Sequence, residues 1–176
     1  MKQTMRRIDR IIVHCTATPE GRHVTVKDVD NWHRNDRHWA NGIGYHYLIY
    51  LDGSIHPGRP ESMVGAHCYG YNKHSIGVCY VGGTEKNNIK VGKDTRTPEQ
   101  KEALAKLLED LHQRYPHATL HGHREFECSR LKSNKCSSCT NCQYNKAVCT
   151  LAGKPCPCFD VSEYQYIFND NNTSQK

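Results

Sequence analysis

Three features of the sequence predict an α/β fold, a single domain with a central mixed β-sheet flanked by helices. Short apolar runs alternate along the chain with segments whose apolar residues recur at helical spacing. One hairpin signal, Asp52-Gly53, breaks that alternation and makes the sheet mixed. A length of 176 residues suits one domain with a core of its own.

Taken in order, Arg10–Val13 is apolar between a charged flank and a Thr/Pro-containing one, which predicts a buried strand ending near His14. Thr16–His23 is a loop carrying Pro19 and Gly21. Thr25 is placed to cap a helix with Asp28 as the acidic half of a capping box, so a helix is expected from about Val26 to Asp36 with Trp32 inward. Asn41–Gly44 ends it. Tyr45–Leu51 is aromatic and β-branched, a strand by composition. Asp52-Gly53 then predicts a two-residue turn into a return strand at Ser54–His56, which Pro57 and Pro60 end. Glu61–Lys73 is a long loop. Ser75–Val81 is a further strand, stopped by Gly82-Gly83, and Thr84–Arg96 is polar and expected to be mobile.

Thr97-Pro98-Glu99-Gln100 combines an N-cap, a proline at the first helical position and a capping-box glutamine. Leu104, Leu107, Leu108, Leu111 and Tyr115 fall on one face of the helix it starts, which stops before Pro116. Ala118–Leu120 forms a short strand leading to His121 and His123. After Phe159, Asp160 is placed to cap a last helix with Glu163 at the box position and Val161, Tyr164 and Phe168 inward. The domain is expected to span 1–168, with a Cys-rich insertion at 128–153, followed by a polar, disordered tail at 169–176.

Composition excludes some classes. No stretch approaches the ~18–20 apolar residues of a membrane span, so no membrane partner is expected. Only Ile11-Ile12-Val13 follow the basic first ten residues, shorter than the ~7–15 apolar residues of a signal-peptide core. The expectation is cytoplasmic synthesis without a signal peptide. The net charge of +6 fits a weak preference for anionic partners, but Lys and Arg are spread along the chain rather than blocked into a tail. A solvated surface explains that charge equally well, and no nucleic acid is expected as a partner.

Twelve histidines and ten cysteines stand out. Zinc prefers neutral imidazole and thiolate donors, and a catalytic site keeps three protein ligands with the fourth position for water. His14 at one strand end, His123 just past another and Cys156 in a Pro-flanked loop are candidates, because strand ends at one edge of a sheet converge without strain. Spacing alone does not enforce this trio. His121 shares a strand face with His123, and Cys158 competes with Cys156, so periodicity separates neither pair. Cys15 and Cys79 read as small core residues, and His46 as a packed, hydrogen-bonded histidine.

The ordered segments Ile12-Val13-His14-Cys15-Thr16-Ala17-Thr18, Gly44-Tyr45-His46-Tyr47, Asp52-Gly53, Val64-Gly65-Ala66-His67, Gly70-Tyr71-Asn72, Ser75-Ile76-Gly77-Val78 with Gly82-Gly83, Thr97-Pro98, His121-Gly122-His123-Arg124-Glu125 and Lys154-Pro155-Cys156-Pro157 before Phe159-Asp160 carry a resemblance. Together they resemble the zinc-dependent N-acetylmuramoyl-L-alanine amidases of the phage-lysozyme and peptidoglycan recognition protein superfamily. The resemblance covers most of residues 8–168 apart from the insertion. It implies one catalytic Zn²⁺ on His14, His123 and Cys156, and catalytic roles for Tyr45 and Lys154. It also implies substrate contacts at His67 and Asn72, and peptidoglycan or muropeptides as partners. Binding-only members of the superfamily typically lack the ligand cysteine, which favours an enzyme over a peptidoglycan-binding module. Action on the cell wall after release, or on cytosolic muropeptides, follows as the expected setting.

The insertion departs from the compact family pattern. It holds Cys128, Cys136, Cys139, Cys142 and Cys149, and the Cys136-x-x-Cys139-x-x-Cys142 spacing suits a second, structural zinc. Disulfides and free thiols stay open as alternatives, and the same spacing occurs in iron–sulfur runs.

Overall fold

The computed structural model describes residues 6–126 and 156–169. Five strands form the main sheet: β1 (Arg10–Cys15), β3 (Tyr47–Ile49), β4 (Ile55–Pro57), β5 (Ser75–Tyr80) and β7 (Thr119–Gly122), in the order β4-β3-β5-β1-β7. A second pair, β2 (Thr18–Pro19) with β6 (Gly83–Thr84), lies outside it. β1 pairs parallel with β5 on one side and β7 on the other, β3 is parallel to β5, and β4 is antiparallel to β3. The sheet is mixed, as the hairpin signal predicts.

The central strands are covered on both faces, which is why β1 and β5 read as nearly unbroken apolar runs. Alternation along β1 sends Ile11, Val13 and Cys15 to the face covered by α2 (Pro98–Arg114). There they join Val78, Tyr80, Leu104, Leu108 and Leu111, with Phe159, Val161 and Tyr164 from the C-terminal segment. The opposite face packs α1 (Val26–Asn35) through Val29 onto Leu48, Cys79 and Val81. Both helices start on capping boxes, Thr25 with Asp28 and Thr97 with Gln100.

Four elements differ from expectation. The hairpin loop has three residues, because Tyr50 N donates to the Ser54 carbonyl and Ile49 pairs with Ile55; Gly53, at φ +81°, takes the left-handed position. Trp32 is only partly buried, and Val29 is the inward residue of α1. Thr84–Arg96 is pinned rather than loose: Lys93 N donates to the Gly83 carbonyl, and Thr95 and Arg96 are buried. The last helix, Val161–Ile167, is a 3-10 helix, in which the Asp160 side chain accepts from Ser162 N and Val161 and Tyr164 are the buried residues. The Cys-rich insertion, Lys154 and the tail beyond residue 169 lie outside the described residues.

Candidate metal centre and cleft

Three chain segments converge at the C-terminal ends of β1 and β7. His123 N donates to the Val13 carbonyl at 3.1 Å, continuing the β1–β7 ladder one step past the strand. Arg124 N then donates to the Cys156 carbonyl at 2.7 Å, tying the cysteine segment to the end of β7. Cys15 N donates to Cys156 Sγ at 3.3 Å. Gly122 makes this approach feasible, since a Cβ there would lie 2.9 Å from Pro157 Cδ. Tyr80 Oη donates to the Pro157 carbonyl at 2.6 Å and holds the loop from below.

These constraints place one donor atom each from His14, His123 and Cys156 within 4.8 Å of one another. His14 is buried, 1% exposed, and its ring centroid is 4.6 Å from that of His123. Burial, reinforced by the imidazoles of His123, His67 and His46, holds His14 well below the ordinary histidine range, so the ring is neutral. A neutral imidazole, a second imidazole and a sulfur that accepts a backbone N–H match the donor chemistry of a zinc-type cation. His121 is not in the cluster: its ring bonds Thr119 and Glu125 instead. Cys158 also turns elsewhere, with its Sγ 3.9 Å from Cys15 Sγ.

A cleft of about 450 Å³ opens beside the trio, lined among others by His33, Arg37, Trp39, Tyr45, His67 and His123. Tyr45 stands 5.1 Å from the His14 ring, centroid to centroid. Burial, then the thiols of Cys79, Cys156 and Cys15, raises its phenol well above the usual tyrosine range, so it stays protonated and can donate.

The family model for N-acetylmuramoyl-L-alanine amidases matches residues 4–143. The endolysin of Escherichia phage T7 is 35% identical over 158 residues, covering 89% of this chain and 84% of the relative. The chain belongs to the N-acetylmuramoyl-L-alanine amidase family. Among solved structures, the amidase LysC from Clostridium intestinale is 30% identical with a TM-score of 0.57, over 69% of this chain and 73% of that one. An endolysin of a Thermus scotoductus bacteriophage shares the fold over 93% of this chain and 86% of its own, with a TM-score of 0.64 at 21% identity.

In this amidase the other expected site residues fall out unequally. Tyr45 lines the cleft. Asn72 lines it too, but its Oδ1 accepts from the backbone N–H groups of His67 and Cys68 at 2.8 and 2.9 Å, so its oxygen is committed to the loop. His67 presents an edge to the cleft while both ring nitrogens face protein partners. Lys154 and Cys128, Cys136, Cys139, Cys142 and Cys149 lie outside the described residues. His46 is packed as expected: Gly77 N donates to its Nδ1, which puts its proton on Nε2 facing the Met63 carbonyl. Cys15 and Cys79 are buried. No motif in the sequence singles out His33. It accepts from Gly44 N through Nδ1 and reaches the cleft beside Trp39 and Tyr45.

Proposed function

We propose that this amidase hydrolyses the bond between the lactyl carbonyl of N-acetylmuramic acid and L-alanine, with one Zn²⁺ held by His14, His123 and Cys156. The observation that carries the reading is the convergence of two imidazoles and a thiol within 4.8 Å, beside an open cleft. When bound there, zinc supplies Lewis acidity and brings water into ionisation near neutral pH.

The chain's own groups do the rest. Hydrolysis adds water across the C–N bond, places negative charge on the carbonyl oxygen, and needs a proton on the departing amine. The protonated phenol of Tyr45 is a donor for that oxygen. Lys154, assigned by the family resemblance, supplies an ammonium for the same oxygen or a proton for the amine. Trp39 and the aliphatic wall at Ala66 give the cleft apolar surface for the sugar and the alanine methyl.

The endolysin relatives support a role on the cell wall, with muropeptides as the smaller alternative substrate. Among the described residues no helix is long and apolar enough to cross a membrane. The Cys-rich insertion leads into Lys154 and Cys156 in the sequence, and we assign it to substrate selection, with a second zinc, disulfides or free thiols as the alternatives for its cysteines.

Zinc stoichiometry combined with reverse-phase analysis of digested wall tests the reading. The native protein is expected to hold zinc and release stem peptides from glycan, and Cys156→Ser to lose both. An active Cys156→Ser variant, or full activity in the zinc-free protein, overturns the mechanism. Binding of muropeptides with no peptide release marks a recognition module instead. Two zincs per chain assign the insertion cysteines to metal.

A further inference from the structure

Behind His14 the structure holds a buried polar chain that the catalytic reading does not use. His14 Nε2 lies 2.9 Å from His67 Nδ1, and His67 Nε2 lies 3.2 Å from Ser75 Oγ. All three residues are buried, at 1%, 8% and 0% exposure. The His67 ring sits in a slot made by absent side chains. A Cβ on Gly77 would lie 2.6 Å from its Cδ2 and Cγ, and one on Gly65 would also lie 2.6 Å from Cδ2. The slot's backbone is fixed from outside by Asn72, which accepts from His67 N and Cys68 N. A ring closely approached by two glycines and held at its backbone and at both nitrogens is placed to orient a neighbour.

We infer that His67 is a positioning residue that fixes the tautomer and rotation of His14, an inference that rests on the metal reading above. Two neutral rings can share the hydrogen between them in only two ways. If His67 Nδ1–H donates, His14 must carry its own proton on Nδ1, and neither nitrogen of His14 is free for a cation. If His14 Nε2–H donates, His14 Nδ1 is bare and free to act as a ligand, while His67 Nε2–H donates to the Ser75 hydroxyl. Metal binding selects the second arrangement. Ser75 thus acts on the site from two hydrogen bonds away, through a side chain that no substrate can touch.

Outer hydrogen bonds of this kind contribute roughly 10–100-fold to metal affinity. The test is zinc affinity of the full chain, measured by competition with a chromophoric chelator, for the native protein, His67→Ala, His67→Asn and Ser75→Ala. His67→Ala is expected to weaken zinc binding within that range. His67→Asn, whose amide oxygen can occupy the Nδ1 position, recovers most of the loss, and Ser75→Ala weakens binding in the same direction. In the zinc-loaded native protein, ¹⁵N NMR is expected to show His14 protonated on Nε2. Near-ultraviolet circular dichroism of each zinc-free variant establishes that it is folded; a folded His67→Asn carries the test where His67→Ala does not fold. His67→Ala binding zinc as tightly as native, with only the KM for a muramoyl peptide raised, overturns the inference and makes His67 a substrate contact. So does a loss that His67→Asn fails to recover. A native protein without zinc affinity overturns the metal reading together with this inference, so the two failures are distinguishable.

Discussion

Gly77 and Gly21 show how differently two glycines act. At Gly77 a methyl group would meet the His67 ring at 2.6 Å, whereas at Gly21 it would meet nothing within 4 Å. Gly77→Ala is therefore an overpacking change and is expected to cost about 1–3 kcal/mol in urea unfolding. Gly21→Ala pays only for its left-handed backbone at φ +78°, about 1–2 kcal/mol. The two variants separate in zinc affinity, which falls for Gly77→Ala and stays native for Gly21→Ala. At this scale the sequence was legible in chemistry and illegible in company. Residue type and strand ends made His14, His123 and Cys156 candidates beside His121 and Cys158, and the family resemblance singled them out. Their meeting depends on backbone hydrogen bonds between segments far apart in the chain, which no local pattern encodes. The partners of His67 were hidden for the same reason: His14 lies on β1 and Ser75 on β5, two strands remote from its own loop.

The elements hold the site through a few buried polar groups. Gln100, fully buried in α2, donates through Nε2 to the Ile49 and Val81 carbonyls and so fastens the helix to the ends of β3 and β5. Gln100→Leu removes the side-chain donor to the Val81 carbonyl and the cap on Thr97 N, while the Ile49 carbonyl keeps Val81 N, and is expected to lower stability by roughly 1–3 kcal/mol in thermal or urea unfolding. Arg96, with a side chain 1% exposed, pairs with Asp94 and Glu163 and lies 3.3 Å from the centroid of the Phe159 ring. It fastens the segment that follows Cys156 to the body of the domain. Arg96→Met is expected to cost about 2 kcal/mol, tempered by the solvent access of both carboxylates, and to weaken zinc binding by loosening that segment. Helix starts were legible because a capping box is local chemistry within four residues. The 3-10 form of Val161–Ile167 and the three-residue hairpin were not, because packing against α2 and pairing of Ile49 with Ile55 decide them.

For the whole molecule, burial of imidazoles sets the response to acid. Desolvation pushes His33 and His46 down to about 4, below the ordinary value of 6.5, with Arg37 adding to the effect at His33. Between those values the unfolded chain binds protons that the folded chain refuses, so this contribution is complete above 6.5 and is lost as pH falls toward 4. Each ring contributes at most about 1.4 kcal/mol per pH unit, and less at His33, which solvent reaches. Urea midpoints are expected to drop steadily from pH about 7 to about 4.5, and a flat series would contradict the burial of these rings. Chelation of the zinc-loaded protein is likewise expected to lower the unfolding temperature, by the equivalent of about 4 kcal/mol where free zinc exceeds the dissociation constant a thousandfold.

Cys15 and Cys156 touch although they stand 141 positions apart in the sequence. A nascent chain whose residue 156 has not yet emerged therefore cannot bring the three proposed donors together, whatever part of the sheet has already formed. A product ending between residues 124 and 155 keeps both imidazoles and lacks the thiol. Under the proposed function, synthesis thus acts as a timing device: no fragment is competent before residue 156 has closed onto β1. A chain ending at residue 155 and the full chain, assayed side by side, are expected to differ as silent and active.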